Sequence, residues 1–456
     1  MRRILSVPKG LAAWGFLFAA LAAPVLSAQE APDSSTPKFS LGLSATLGTE
    51  TISDTMYQTF GLLPDIGYGP LGVGIDLSFH FRFYETPGGA FGFYPRQEDW
   101  WDSHLSTAQN VDKYLSRFLY VRWGHKGDPL YAQLGLLPST TLGTGFLVGG
   151  YSNGALRPGL RYVGLELDAS GELINLPYGG FESFVGNVSA FDVLGARFYA
   201  KPFGLLIPDN AFLKEMQFGL TVAADTNPFA QASSAVTKVS GSVVASGLDV
   251  MLPLYSSDLF SAVATTDAAM EGTHAGGAVG VGGKAFGFVL WGLQNRFLGD
   301  NFLPDYFDRG YEANRMGKFA VYSSSSTVVP GTIGWQASLG VSILGDALTL
   351  GTSLSGPWTS QSNVFAQPQL QSYAQLKPGL LPIDASAFYI KNGLTSLDEL
   401  VSAEHALIGA KVGYTLGVVT LSVVYDLRYV TDPSEVGPNG QQWVSSSRIE
   451  TVVKMY

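Results

Sequence analysis

The sequence predicts an all-β fold: a transmembrane antiparallel up-and-down β-barrel of about 16–20 strands, with short turns at one rim and long loops at the other. Three observations predict it. The chain opens on an export signal. Its segments alternate apolar and polar residues with period two. Its connectors fall into two length classes.

Composition sets the frame. The chain has 456 residues, of which 46% are hydrophobic and only 14% charged, with 55 Gly, 28 Phe, 21 Tyr and no Cys. That is too apolar for disorder and too poor in charge for an ordinary soluble surface. Absence of Cys excludes a disulfide scaffold, a thiolate metal site and a lipoprotein anchor, and suits passage through an oxidising periplasm. The net charge of −10 argues against a nucleic-acid partner, which requires a basic footprint.

The first element is the leader. Arg2 and Arg3 precede a nearly all-apolar run, Leu11 to Leu26, broken by Pro24 and followed by Ser27 and Ala28. This is the three-part pattern of a secretory signal peptide. The apolar run is short for a spanning helix, and no Lys/Arg cluster follows it. Residues 1–28 are therefore assigned as signal peptide, 29–37 as a short flexible lead-in, and 38–456 as the barrel. The leader sends the chain across the inner membrane of a two-membrane, Gram-negative-type envelope.

The strands come next. In Val73–Tyr84, Val73, Ile75, Leu77, Phe79, Phe81 and Phe83 face one way; Gly74, Asp76, Ser78, His80, Arg82 and Tyr84 face the other. Successive strand side chains point to opposite faces, so the run has one apolar and one polar side. Leu119, Val121 and Trp123 likewise oppose Tyr120 and Arg122, and Leu165 and Leu167 oppose Gly164, Glu166 and Asp168. Trp335 to Ile343, Ala406 to Tyr414 and Val419 to Tyr429 repeat the pattern. Lipid leaves no backbone polar group unpaired, so such strands must close on themselves. After the leader no long uninterrupted apolar stretch suggests a helical span.

Connectors alternate in length. Short turns fall at His125–Pro129, Gly345–Asp346 and Gly417–Val418; long ones at 86–113, 143–157, 299–332, 357–366 and 430–442. Barrels of this kind have short periplasmic turns and long outer loops, and an even strand count puts both termini in the periplasm. The chain ends on Tyr456 after Ile449, Thr451, Val453 and Met455. That ending resembles the terminal strand of bacterial outer-membrane barrels, although Glu450 and Lys454 stand in the register of Tyr456, where the family prefers apolar residues. The chain thus resembles the porin-like barrel superfamily over roughly 38–456. The resemblance implies outer-membrane location, contact with outer-membrane lipid, and recognition of the terminal strand by the assembly machinery. The segments 127–143 and 304–312 look like motifs of a particular barrel group, with no function attached.

Candidate site residues follow from register. Asp76, His80, Arg82, Arg122, Glu166, Asp168, Arg197, Lys201, Arg296, Lys411, Asp426 and Arg428 are expected on the lumen face, with Glu450. Charge inside a barrel needs water or a partner to solvate it, and opposed charges tune solute selectivity. The acidic, tryptophan-bearing stretch Glu98, Asp99, Trp100, Trp101 and Asp102 is expected to fold inward as a constriction opposite Arg82 and Arg122. The apolar, glycine-rich loop Gly143–Ala155 is a rival for that place. Loop 299–332 carries Asp300, Asp305, Asp308 and Glu312 among Tyr306, Phe307 and Tyr311, and reads first as a surface loop folded on its own aromatics.

Catalysis requires convergent groups, and His80 has Asp76 and Ser78 only along its own strand, about 7 Å apart per two residues and beyond hydrogen-bond reach. No catalytic residue, metal site or cofactor is therefore assigned. The expected function is a channel for passive or weakly selective diffusion of small hydrophilic solutes. A closed structural or surface ligand-binding barrel is the alternative, and a barrel lipase or protease a third reading.

Overall fold

In the computed structural model, residues 39–455 are described apart from 53–54, 86–88, 90, 104–106, 155–161, 176–177, 211, 231–240, 345–346, 378–380, 403 and 430–441. The signal peptide, the lead-in, the Gly345–Asp346 turn, nearly all of loop 430–442 and Tyr456 lie outside the described residues.

The strands in chain order are β1 (Phe39–Ile52), β2 (Thr55–Tyr68), β3 (Leu71–Ile75), β4 (Phe79–Glu85), β5 (Phe91–Pro95), β6 (Phe118–Trp123), β7 (Leu130–Gly135) and β8 (Val148–Gly149). Then come β9 (Gly164–Ser170), β10 (Gly179–Val185), β11 (Val193–Ala200), β12 (Gln217–Asp225), β13 (Val243–Ser256), β14 (Phe260–Glu271), β15 (His274–Ala285) and β16 (Val289–Leu298). The last are β17 (Phe307–Asp308), β18 (Thr332–Ile343), β19 (Leu348–Pro357), β20 (Gln369–Leu376), β21 (Ile383–Lys391), β22 (Ala406–Leu416), β23 (Val419–Tyr429) and β24 (Trp443–Met455). The helices are α1 (Thr107–Leu115), α2 (Pro202–Leu206) and α3 (Tyr311–Tyr322).

All wall neighbours are antiparallel, and β24 pairs back onto β1 from Leu43 opposite Met455 to Glu50 opposite Arg448, which closes the sheet. β4 prolongs β3, and β5 folds back on β4, so the 22-stranded sheet forms a ring of 20 staves. Closure removes every edge that lipid cannot solvate. β8 and β17 stand apart as a two-stranded parallel sheet.

Burial alternates as the pattern requires. In β23, Leu421, Val423 and Tyr425 are exposed, while Thr420, Ser422 and Val424 are buried. In β12, Phe218, Leu220 and Val222 are exposed and Thr221, Ala223 and Asp225 buried. Apolar side chains therefore face the bilayer side and small or polar ones the lumen.

The rims divide as expected. Both described chain ends share one rim with turns such as 69–70, 124–129, 257–259, 286–288 and 417–418. The opposite rim carries 86–117, 136–163, 299–331, 358–368 and 392–405. Each rim has exceptions: at the long-loop rim β1 ends at Ile52 with β2 starting at Thr55, and β14 and β15 meet through residues 272–273, while the short-turn rim carries the long turn 201–216 with α2.

One strand needs correction. The run Val73–Tyr84 is continuous against β2, with Leu77 and Leu62 exchanging backbone hydrogen bonds. On its other side the neighbour changes from β6 to β5 at Asp76–Ser78. Alternation reads which face a residue takes, not which strand lies beside it, so the switch left no trace in the pattern.

Candidate functional site

The lumen holds a packed core. Leu137, Leu142, Phe146, Leu147, Val148 and Tyr151 from loop 136–154 cluster with Phe302, Leu303, Tyr306, Phe307, Tyr311 and Phe319 from loop 299–331. They rest on inward-facing wall residues, among them Phe184, Ala223, Ala245, Ala269 and Ala278. Two long loops thus fold inward and pack together against β10 to β15.

Local chemistry explains the shape of each loop. In loop 136–154 the buried Asn153 accepts from the Leu137 N–H at 2.8 Å and donates to the carbonyls of Gly135, Tyr162 and Gly186. One amide so ties the loop's two ends to the wall. Thr140 and Tyr151 form a hairpin bridge inside it. In loop 299–331, Asn301 accepts from the N–H groups of Val328 and Val329, and α3 runs between. The loops then join directly: Asp305 and Phe307 N–H groups donate to the Phe146 and Leu147 carbonyls, at 2.9 and 3.0 Å.

Wall glycines make the sockets. A Cβ at Gly276 would lie 2.5 Å from the Phe302 ring, and one at Gly195 would lie 2.6 Å from Phe184 and 3.1 Å from Leu142. At these positions glycine serves close approach of plug to wall.

Ion pairs lock the seat. Arg315 of α3 donates to Asp225 at 2.6 and 2.7 Å, to Asp192 at 2.8 Å and to Glu312 at 3.4 Å. Tyr311 donates to Asp225 at 2.6 Å, and Tyr151 to Glu312 at 2.5 Å. All six residues are buried. Burial pushes the Glu312 carboxyl up despite the charge of Arg315, and burial likewise raises Asp308 against its partner Lys318, 2.8 Å away. Lys318 also donates to the Tyr306 carbonyl. The buried Glu271 accepts from the Leu303 N–H at 3.0 Å. The charges around Arg315 and Lys318 persist in the interior because they are paired and hydrogen-bonded.

The sequence-predicted residues divide by place. Arg197 and Arg296 face the plug. Arg197 is 1% exposed and forks onto Asp249 at 2.9 and 2.7 Å, with Glu182 at 3.2 Å. Arg296 reaches Asp305 at 3.0 Å, Gln336 at 2.5 Å and Gln294 at 2.7 Å. Glu166 and Asp168 meet Lys126, the latter at 4.0 Å, beside turn 124–129. Arg122 lies over the Tyr120 ring at 5.7 Å. Lys411 lies 3.6 Å from Glu450, which also pairs with Arg448. Asp426 and Arg428 share the inward register of β23 with Thr420 and Ser422. Lys201 sits beyond the end of β11, in turn 201–216, paired with Glu215 at 2.7 Å.

The segment Glu98–Asp102 lies at the seam where β3–β4 changes neighbour. His80 donates its backbone N–H to Asp99 at 2.9 Å, and its Nδ1 lies 2.7 Å from the same carboxylate oxygen. Arg96 pairs with Asp99, and its N–H donates to the His80 carbonyl. Arg117 donates to the Ser78 carbonyl at 2.9 Å and to the Asp99 carbonyl, with its guanidinium 4.3 Å from the Trp100 ring centroid. Asp76 accepts from the Ser78 N–H, and its own N–H donates to the Arg117 carbonyl. The strand backbone groups at Asp76, Ser78 and His80 thus find partners in segment 96–117 where the neighbouring strand changes. Glu98 accepts from Tyr94, Asp102 lies 3.9 Å from Lys113, and Trp101 is half exposed. Arg82 stacks over Tyr94 at 5.1 Å and Tyr57 at 5.9 Å. The contacts of Asp99 are thus with His80, Arg96 and Arg117, not with the expected Arg82 and Arg122.

Sequence reasoning missed the largest constellation. Asp192, Asp225, Asp249, Asp267, Glu182, Glu271, Arg315 and Lys318 carried no signal of their own. The available hint was the apolar loop at 143–155, too apolar to lie in water; loop 299–332, expected as a surface loop folded on its own aromatics, instead packs its aromatics against that loop in the lumen.

No protein-family model matches the chain, and no curated protein matches it. Solved structures similar in outline include OpdL of Pseudomonas aeruginosa, at 10% identity and TM-score 0.31 over 92% of this chain and 98% of that one. OpdQ of the same organism gives 8% and 0.34 over 92% and 98%. OccK2 (OpdF), solved in complex with glucuronate, gives 10% and 0.33 over 92% and 98%. Superpositions this loose carry no function across to this chain.

Proposed function

We propose that this chain is an outer-membrane porin-like channel through which small hydrophilic solutes diffuse passively, along the lumen sector beside the plug. One observation carries the reading. Lys411, Arg448 and Glu450 are gathered on the inward face of β22 and β24, with Thr420 and Ser422 of β23 on the same face. Charge at that depth is tolerated where water reaches it, and the Lys411 side chain keeps 32% of its surface open. Arg122, Glu166, Asp168, Asp426 and Arg428 complete the proposed selective wall. Glu98 to Asp102, with Asp76 and His80, are read as holding the wall seam near the long-loop mouth, beside Arg82.

The leader and the rims support the location: in this reading the short-turn rim faces the periplasm, and the terminal strand ending at Tyr456 is offered to the assembly machinery. The chain is read as non-catalytic, because the Asp99 carboxylate beside His80 is engaged by a backbone N–H and by Arg96. The second reading, a closed structural barrel, is favoured by the buried latch around Arg315.

Planar-bilayer recording tests the proposal. Folded wild-type protein should give discrete single-channel steps, and Arg315→Ala should give larger ones. Silence from wild type with steps from Arg315→Ala would favour the closed barrel. Silence from both sinks the channel.

A further inference from the structure

We propose that turn 201–216 is a lipid anchor, seated among phospholipid acyl chains in the periplasmic-side leaflet. This goes beyond conduction and needs only the barrel in its membrane.

The turn departs from its rim. Turns 257–259, 286–288 and 417–418 of the same rim are tight and 171–178 is shorter, whereas this one runs from the end of β11 to the start of β12. Its described residues are held by local hydrogen bonds. Pro202 opens α2, Ile207 N–H donates to the Phe203 carbonyl, and Asn210 accepts from the N–H groups of Phe212 and Leu213. Lys201 and Glu215 clamp its base at 2.7 Å.

This turn displays apolar surface. Leu205 is 59% exposed, Leu206 72%, Ile207 37% and Phe212 44%. A loop in water has no reason to hold four large apolar side chains outward. The rings of Phe203 and Phe218 are 6.2 Å apart, and Phe218 belongs to the exposed, bilayer-side row of β12 with Leu220 and Val222. α2 therefore sits against the outside of the wall, and its apolar surface continues the belt.

The belt needs extension at this place. β9 and β10 have 7 residues, β11 8 and β12 9, against 14 in β1, β2 and β13. At roughly 3.3 Å per residue and a tilt of about 45°, the short strands rise roughly 16–21 Å. The apolar band of such a barrel is about 25 Å tall. The turn hangs from the short sector and adds apolar surface below it, as an interfacial segment buried about 5–10 Å into the headgroup boundary does.

The chain has no cysteine, so single-cysteine labelling tests this. Leu206→Cys and, separately, Leu205→Cys carry an environment-sensitive fluorophore, in protein reconstituted into phosphatidylethanolamine/phosphatidylglycerol vesicles. Leu421→Cys, on the exposed row of β23 near its short-turn end, is the lipid-facing reference and Asp258→Cys, in a tight turn of the same rim, the aqueous one. Folding is checked by heat-modifiable migration, and the second site serves should the first fail to fold. The expected result is quenching by nitroxide on a shallow acyl carbon comparable to Leu421→Cys, with several-fold protection from iodide relative to Asp258→Cys. Iodide access equal to that of Asp258→Cys, without lipid quenching, overturns the proposal. Shielding from both quenchers also overturns it, because a second copy of the chain then covers the turn.

Discussion

At the scale of single residues, Arg315 has the largest predicted effect. Its guanidinium compensates Asp192, Asp225 and Glu312, all buried. Removing one partner of a buried ionic cluster costs about 3–5 kcal/mol, because the charges left behind have neither water nor counter-charge. Arg315→Met should therefore release loop 299–331 while the wall stays closed. Amide exchange in α3 should rise by orders of magnitude, with exchange in β22 and β23 unchanged; equal exchange in α3 would mean that the latch does not hold the plug. Gly276→Val attacks the same seat from the wall, since the added Cβ would meet the Phe302 ring at 2.5 Å. The ring must move or the strand must shift, at a cost of about 1–3 kcal/mol, read as the same loosening of loop 299–331. Gly42, whose Cβ would have 3.7 Å to its nearest neighbour, supplies the control: Gly42→Ala should leave the loop as tight as in wild type.

At the scale of elements, the seam segment 97–117 depends on one carboxylate. Burial pushes the Asp99 carboxyl up, but the His80 hydrogen bond and the charges of His80 and Arg96 outweigh it and hold the group below its ordinary value. A folded-state value below the unfolded one gives stability that is present above the unfolded value of about 3.9 and is lost as pH falls through the folded one. Limited proteolysis within 97–117 should accordingly rise as the medium is acidified below about pH 4, and His80→Asn should flatten that dependence. A pH-independent cleavage rate in wild type would separate Asp99 from the seam. Which elements were legible in the sequence follows from where their partners lie. β23 and β18 could be read because period-two alternation is local, and a bilayer face imposes it residue by residue. α3 could not. Its buried residues include Glu312, Arg315 and Lys318, whose charges mask any apolar stripe. Asp225 and Asp192, the partners of Arg315, stand 90 and 123 residues away. The constriction expected of Glu98–Asp102 had a similar origin: acidic residues in a long loop, and no local sign that β6 ends below the level of β4.

At the scale of the whole molecule, the charged residues of the wall do two different things, and ion selectivity separates them. Arg197 and Arg296 are spent on Asp249 and Asp305, against the plug. Arg122 rests on Tyr120, and Lys411 keeps a third of its side-chain surface open. A field across a wet lumen is set by charges that solute can approach, so the second pair should govern selectivity and the first pair the seating of the loops. Reversal potential measured across a salt gradient reads that field. Arg122→Glu should shift it toward cations without altering exchange in α3, because it adds acid to the open wall and touches no plug contact. Arg197→Gln should do the reverse. It leaves Asp249 without its guanidinium, loosens loop 136–154, and enlarges the conductance step with little change in reversal potential. Should Arg122→Glu leave the reversal potential where it was, the open wall would not lie on the conducting path, and solute would have to pass on the plug side of the lumen.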